Sequence, residues 1–194
     1  MYNSIIKEVL MRTIVSYLAL SLLAVILVGC GSSQKTVDMS DWETLPNDPN
    51  FFYATNTQVS QDMQLAINKA TADARAEIAR QVELKVNGLQ KRFMEETGAG
   101  DNAQLLSMFT EATKTVVSVA LTGSRVAKQK TQKEGNGWRA YVLVEYPIGA
   151  VNQALQQQIK NREELYTRFR ASQAYKELDD EVQKYEEWKK QQNR

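Results

Sequence analysis

Gly135-Asn136-Gly137-Trp138-Arg139-Ala140-Tyr141-Val142-Leu143-Val144-Glu145-Tyr146-Pro147 is the stretch on which the fold turns. Gly-Asn-Gly is a strong tight-turn signal, because glycine and asparagine tolerate the left-handed backbone that a short hairpin needs. The residues after it alternate. Trp138, Ala140, Val142, Val144 and Tyr146 point to one side, and Arg139, Tyr141, Leu143 and Glu145 to the other. That period of two predicts a half-buried strand. A strand over about Leu121 to Gln132 precedes the turn, so the two pair as an antiparallel hairpin. Pro147 lacks the amide to continue the ladder and opens a helix at its first turn.

Working back from the hairpin, Phe51-Phe-Tyr-Ala-Thr-Asn-Thr57 is aromatic and β-branched and reads as another strand. Ser60 is an N-cap residue, with Asp62 in the first turn favouring the helix dipole. Met63, Ile67, Ala70, Ala74, Ile78, Val82, Val86, Leu89 and Phe93 then form one apolar stripe at helical spacing. Ala66, Ala70 and Ala74 let that helix lie close on a neighbour, and Gly98-Ala99-Gly100 ends it. Asp101 caps a second helix, with Gln104 completing a capping box. Leu105, Leu106, Met108, Phe109, Ala112, Val116 and Val117 give it a broad apolar face. The β-branched run Val116-Val-Ser-Val119 marks its end. The element order is β-α-α-β-β over residues 50–147.

Residues 148–194 contain no proline, and no glycine after Gly149. Val151, Leu155, Ile159, Leu165, Phe169, Tyr175, Leu178, Val182, Tyr185 and Trp188 lie on a drifting stripe, approaching a heptad from Tyr175 onward. A continuous helix of about 45 residues would reach about 70 Å, so its later part should project from the domain. An isolated half-polar helix is marginal in water. Tyr175, Leu178, Val182, Tyr185 and Trp188 are therefore the candidate surface for a second copy or for another envelope protein.

At the other end, Lys7 and Arg12 precede the apolar run Ile14 to Val28, which is followed by Gly29-Cys30. A basic start, a short apolar core and a small residue at the cut make an export signal over residues 1–29. Leu27-Val28-Gly29-Cys30 resembles the lipobox of bacterial lipoproteins. The resemblance implies cleavage between Gly29 and Cys30 and acylation of Cys30, the single cysteine of the chain. Three acyl chains exceed the two that stable anchoring needs, each buried methylene adding about 0.8 kcal/mol. By the same analogy, Gly31 after the cysteine, where retained lipoproteins carry aspartate, points to the outer membrane. Residues 30–49 are polar and include Pro46 and Pro49, as expected of a flexible tether. Trp42 within it is expected to dock on the domain.

Asp48-Pro49-Asn50-Phe51-Phe52-Tyr53-Ala54-Thr55, Ala66-Ile67-Asn68-Lys69-Ala70, Ala74-Arg75-Ala76-Glu77-Ile78-Ala79 and Trp138-Arg139-Ala140-Tyr141-Val142 together resemble the LPP-20 lipoprotein family of Gram-negative envelopes. The resemblance covers Asn47 to Tyr146. It implies an α+β fold, a three-stranded antiparallel sheet packed by two helices, which here is followed by a long C-terminal helix. The family brings no catalytic residues. Its members serve as surface antigens or as parts of envelope and motility structures.

The chemistry of the chain points the same way. Lys plus Arg (24) nearly balance Asp plus Glu (23), so no field draws in nucleic acid. There is no histidine, which removes the commonest general base and metal ligand. No zinc or phosphate motif is present, and no cofactor is expected. Ser124 and Lys128 on one strand would stand about 13 Å apart, too far for a dyad. Glu95-Glu96 and Glu163-Glu164 are helical neighbours whose side chains diverge. Arg125, Lys128, Lys130 and Lys133 make a basic hairpin, read as protection of an edge strand against pairing. The expectation is a non-enzymatic outer-membrane lipoprotein acting as a structural or interaction module, on a face left open between periplasm and exterior. The alternative is a lipid-anchored module that binds a ligand or glycan.

Overall fold

The computed structural model describes Trp42, Pro46, residues 48–100 and residues 102–192. The export segment, Gly29 and Cys30 lie outside the described residues, as does most of the tether. Strand β1 (Phe51–Ser60) leads into helix α1 (Met63–Thr97) and then α2 (Ala103–Gly123). The hairpin strands β2 (Arg125–Glu134) and β3 (Gly137–Pro147) follow, and the chain closes with α3 (Ile148–Lys160), α4 (Glu163–Phe169) and α5 (Gln173–Gln192). The three strands form one antiparallel sheet in the order β1-β3-β2. The fold is α+β, with a three-stranded antiparallel sheet and a long helix at its C-terminal end.

The strand is where the alternation placed it, but it is not half-buried throughout: Leu143 and Glu145 of the other face are buried too, so every residue from Val142 to Tyr146 is covered. Ala140, Val142 and Val144 are fully buried beneath α1, and Tyr146 nearly so. The alanine stripe of α1 does what small residues allow: Ala66, Ala70 and Ala74 are all 0% exposed, so the helix backbone runs close to the sheet. The stripe continues through Ile78, Val82, Val86 and Phe93, every one inaccessible to solvent. Met63, by contrast, is 40% exposed and stands at the solvated start of α1.

Element ends moved by a few residues, each for a local reason. β1 runs on to Ser60, and Asp62 is the cap of α1, its carboxylate accepting from Leu65 N at 2.7 Å. Gly98 closes α1 at φ 63°, a left-handed value that glycine adopts without strain. Asn102 caps α2 by accepting from Leu105 N at 3.0 Å; Asp101, expected in that role, is outside the described residues. α2 does not stop in the Val116–Val119 run but continues to Gly123. β-Branched residues cost only a few tenths of a kcal/mol in a helix, roughly 0.5 each against alanine, whereas Val116 and Ala120 gain full burial. Ser124 consequently sits at the end of α2 rather than on a strand, its hydroxyl donating to the Leu121 carbonyl at 3.1 Å.

The largest correction concerns residues 148–194. They are helical, but not as one rod. The helix breaks at Asn161–Arg162 and again at Arg170–Ser172, and the three pieces fold back over the domain. Leu165 and Phe169 of α4 reach 0% exposure, and Tyr175, Leu178 and Val182 of α5 are buried as well. Burying each such side chain is worth about 1.5–3 kcal/mol. That outweighs the hydrogen bonds lost at two breaks, each worth about 0.5–1.5 kcal/mol net. The second break is capped. Ser172 Oγ accepts from Tyr175 N at 3.1 Å, and Glu96, at the far end of α1, accepts from Gln173 N at 2.8 Å.

Candidate binding surfaces

Of the residues expected to meet a partner through the C-terminal helix, Tyr175, Leu178 and Val182 face the chain's own core. A second copy cannot reach them without unfolding α5. Burial, with Tyr166 and Asp179 beside it, pushes the Tyr175 hydroxyl up to about 12 from an ordinary 10.0. A phenol whose proton is held more tightly in the fold stabilises fully below pH 10, and that contribution is lost as pH rises through about 12. Chemical denaturation across this window should therefore show falling stability, and Tyr175→Phe should flatten the fall. An unchanged slope in the phenylalanine variant would remove Tyr175 as its source.

Tyr185 and Trp188, one turn further along, are half-buried and exposed, and they build a cleft rather than a seam. Their rings stack at 5.7 Å, and Phe51 meets Trp188 edge-on at 6.1 Å. Tyr185 lies directly on Gly149, where a Cβ would overlap its ring. The cleft has a volume of about 300 Å³ and opens between the start of β1, the first turn of α3, α1 and α5. Its polar side is Glu181, which accepts from Asn152 Nδ2 at 2.5 Å and pairs with Lys85 Nζ at 3.3 Å. Aromatic walls with a few convergent polar groups are what a small-molecule site requires. Phe51, Gly149 and Lys85 were not singled out from the sequence. Gly149, as the last glycine of the chain and just inside a helix, was the available signal.

The sheet face turned away from α1 carries a second set of groups. Glu145, only 8% exposed, accepts from Arg125 Nε at 2.7 Å. Across β1 from it stands Tyr53, whose hydroxyl pKa is raised by burial first and then by the charges of Glu145 and Asp48. Trp42 lies against Tyr141 with ring centroids 6.0 Å apart, so it docks on the domain as its composition suggested. Part of this face is thus covered by the chain's own aromatic residue.

The third surface is the outer edge of β1, with which no strand pairs among the described residues. Ile148 N donates to Asn50 O at 2.8 Å, so even-numbered residues of β1 direct their backbone groups toward β3. The odd-numbered ones turn outward. Gln81 of α1 takes one of these, donating to Tyr53 O at 3.0 Å. Thr55, Thr57 and Val59 follow, all exposed. The edge overhangs an open groove lined by Asn56 of β1, Ala76 and Arg80 of α1 and Val117 of α2. Among the described residues no group of three or more Cys, Asp or Glu side chains could hold a metal ion.

The family model for the LPP20 lipoprotein matches residues 27–146. The chain belongs to the LPP20 lipoprotein family. It is accordingly a lipoprotein of the cell envelope, anchored at a membrane. The match begins at Leu27, the first residue of the lipobox-like tetrapeptide, and ends at Tyr146, one residue before the end of β3. Helices α3 to α5, which form one side of the aromatic cleft, fall beyond the part matched to the LPP20 model. No curated protein matches the chain.

Proposed function

We propose that this LPP20 lipoprotein is a non-enzymatic interaction module, held at the outer membrane by lipid on Cys30. The observation that carries the reading is the free edge of β1, ten residues without a single charge. An open strand edge binds other chains through its backbone and is normally blunted by lysine, proline or a cover. Here the opposite edge strand, β2, carries that protection in Arg125, Lys128, Lys130 and Lys133, whereas β1 carries none. Outer-membrane placement is supported by Gly31 after the cysteine.

In membranes separated by density, the full chain should travel with the outer membrane, and Cys30→Ser should leave it unacylated and soluble. A photo-crosslinking residue at Thr55 should give protein adducts in cells, whereas one at Leu84 of α1, itself 66% exposed, should not. The absence of any adduct from Thr55 would withdraw the interaction reading. The aromatic cleft supports a second reading, a ligand- or glycan-binding module. A soluble peptidoglycan fragment at 100 times its Kd should then add about 2.7 kcal/mol to stability, and no thermal shift with any such fragment would remove it.

A further inference from the structure

We propose that two copies of this chain pair antiparallel along the free edges of β1, about a twofold axis at Thr57, joining two three-stranded sheets into one of six strands. The inference rests on the interaction reading and names the partner. Backbone geometry selects the register. Outward-facing groups on β1 belong to Phe51, Tyr53, Thr55, Thr57 and Val59; Phe51 N already donates to Asp48 O and the Tyr53 carbonyl is occupied by Gln81. A pairing centred on Thr57 uses Thr55, Thr57 and Val59 of both copies and leaves Tyr53 to Gln81. Thr57 then faces its own symmetry mate, and Thr55 faces Val59.

Those pairs suit the contact. All three residues are β-branched and exposed, and Val59 is 43% exposed. Thr–Thr and β-branched cross-strand pairs are favourable, and no like charges oppose each other within the strand pairs because β1 has none. A symmetric contact of this kind is isologous and closes at two copies. In the pairing Asn56 stands opposite Gln58 of the second copy, so this position too brings together two uncharged side chains. A ladder of five residues is weak between proteins in free solution. Copies confined to one membrane by their lipids meet at a much higher effective concentration.

The test is disulfide trapping of the full chain in native membranes. Opposed residues on a hydrogen-bonded antiparallel pair have Cα atoms about 5.5 Å apart, inside the range a disulfide spans. Thr57→Cys should therefore give a covalent dimer of doubled mass under mild oxidation. Thr55→Cys and Val59→Cys should each fail alone, because like positions would lie about 13 Å apart along the strand, and should crosslink when expressed together. Wild type, with its single acylated cysteine, and Gln129→Cys on the far edge should stay monomeric. No dimer from Thr57→Cys, or equal trapping of Thr55→Cys alone, overturns the inference. An adduct of Thr57→Cys with a different protein also overturns it while leaving the interaction reading intact. Thr57→Lys, placing two like charges face to face at an exposed position, should abolish the trapping of the Thr55→Cys and Val59→Cys pair.

Discussion

Phe169→Ala should destabilise the domain by about 3–5 kcal/mol, the range for emptying a fully buried phenylalanine site. Phe169 is 0% exposed and sits among three rings, all edge-on. The centroids are 4.7 Å from Phe93, 5.4 Å from Phe109 and 5.5 Å from Tyr175. Each such pair adds about 0.5–1.5 kcal/mol beyond the area it buries. The cluster ties α4 to α1, α2 and α5 at once, so its neighbours cannot collapse into the space independently. Against a typical total of about 5–15 kcal/mol, the variant should lie near the edge of folding. Urea denaturation is the measurement: the midpoint should fall with little change in slope. A loss below about 1 kcal/mol, the size of an ordinary surface change, would show that α4 does not seal the core.

Gly149→Ala should have the next largest effect, and a more local one. The added Cβ would lie inside contact distance of Tyr185 Cγ and Cδ2 and 2.5 Å from Tyr185 Cβ. Those atoms are close to the backbone of α5, so a rotamer change cannot relieve the overlap; the helix itself must shift. Overpacking of this kind costs about 1–3 kcal/mol. Displacement of Tyr185 also parts Trp188 from Phe51 and strips Lys189 of the ring 4.8 Å beneath it. Faster amide exchange from about Tyr185 onward, with α1 and the sheet still protected, is the expected pattern. Uniform loss of protection would mean that α5 and the sheet unfold as one unit.

The hairpin and α1 were readable because their periods are strong and local. β3 has an apolar residue at every second position from Ala140 to Tyr146, and the α1 stripe holds its spacing from Met63 to Phe93, about eight turns, with small residues where the sheet comes near. The C-terminal breaks were hidden for an equally physical reason. Neither Asn161–Arg162 nor Arg170–Ser172 contains glycine or proline, so residue type alone gives no stop. Ser172 is a good cap, but its capping partner Glu96 lies 77 residues away from Gln173. The acidic pair Glu163–Glu164 at the first turn of α4 was a readable start signal that the surrounding helical pattern masked. Tyr185 and Trp188 stood out in the sequence as part of an apolar stripe offered to a partner. Spacing along one helix cannot say that the cover is Phe51 and Gly149, since that depends on where the fold brings distant segments together.

The contact between Phe51 and Trp188 puts the beginning and the end of the folded unit at a single corner. Trp42, which precedes β1 in sequence, lies instead on Tyr141, the register partner of Thr57, about 20 Å farther along β1 at about 3.3 Å per residue. Among the described residues the chain therefore first meets the domain beside the middle of β1, while its last helix ends at the opposite corner.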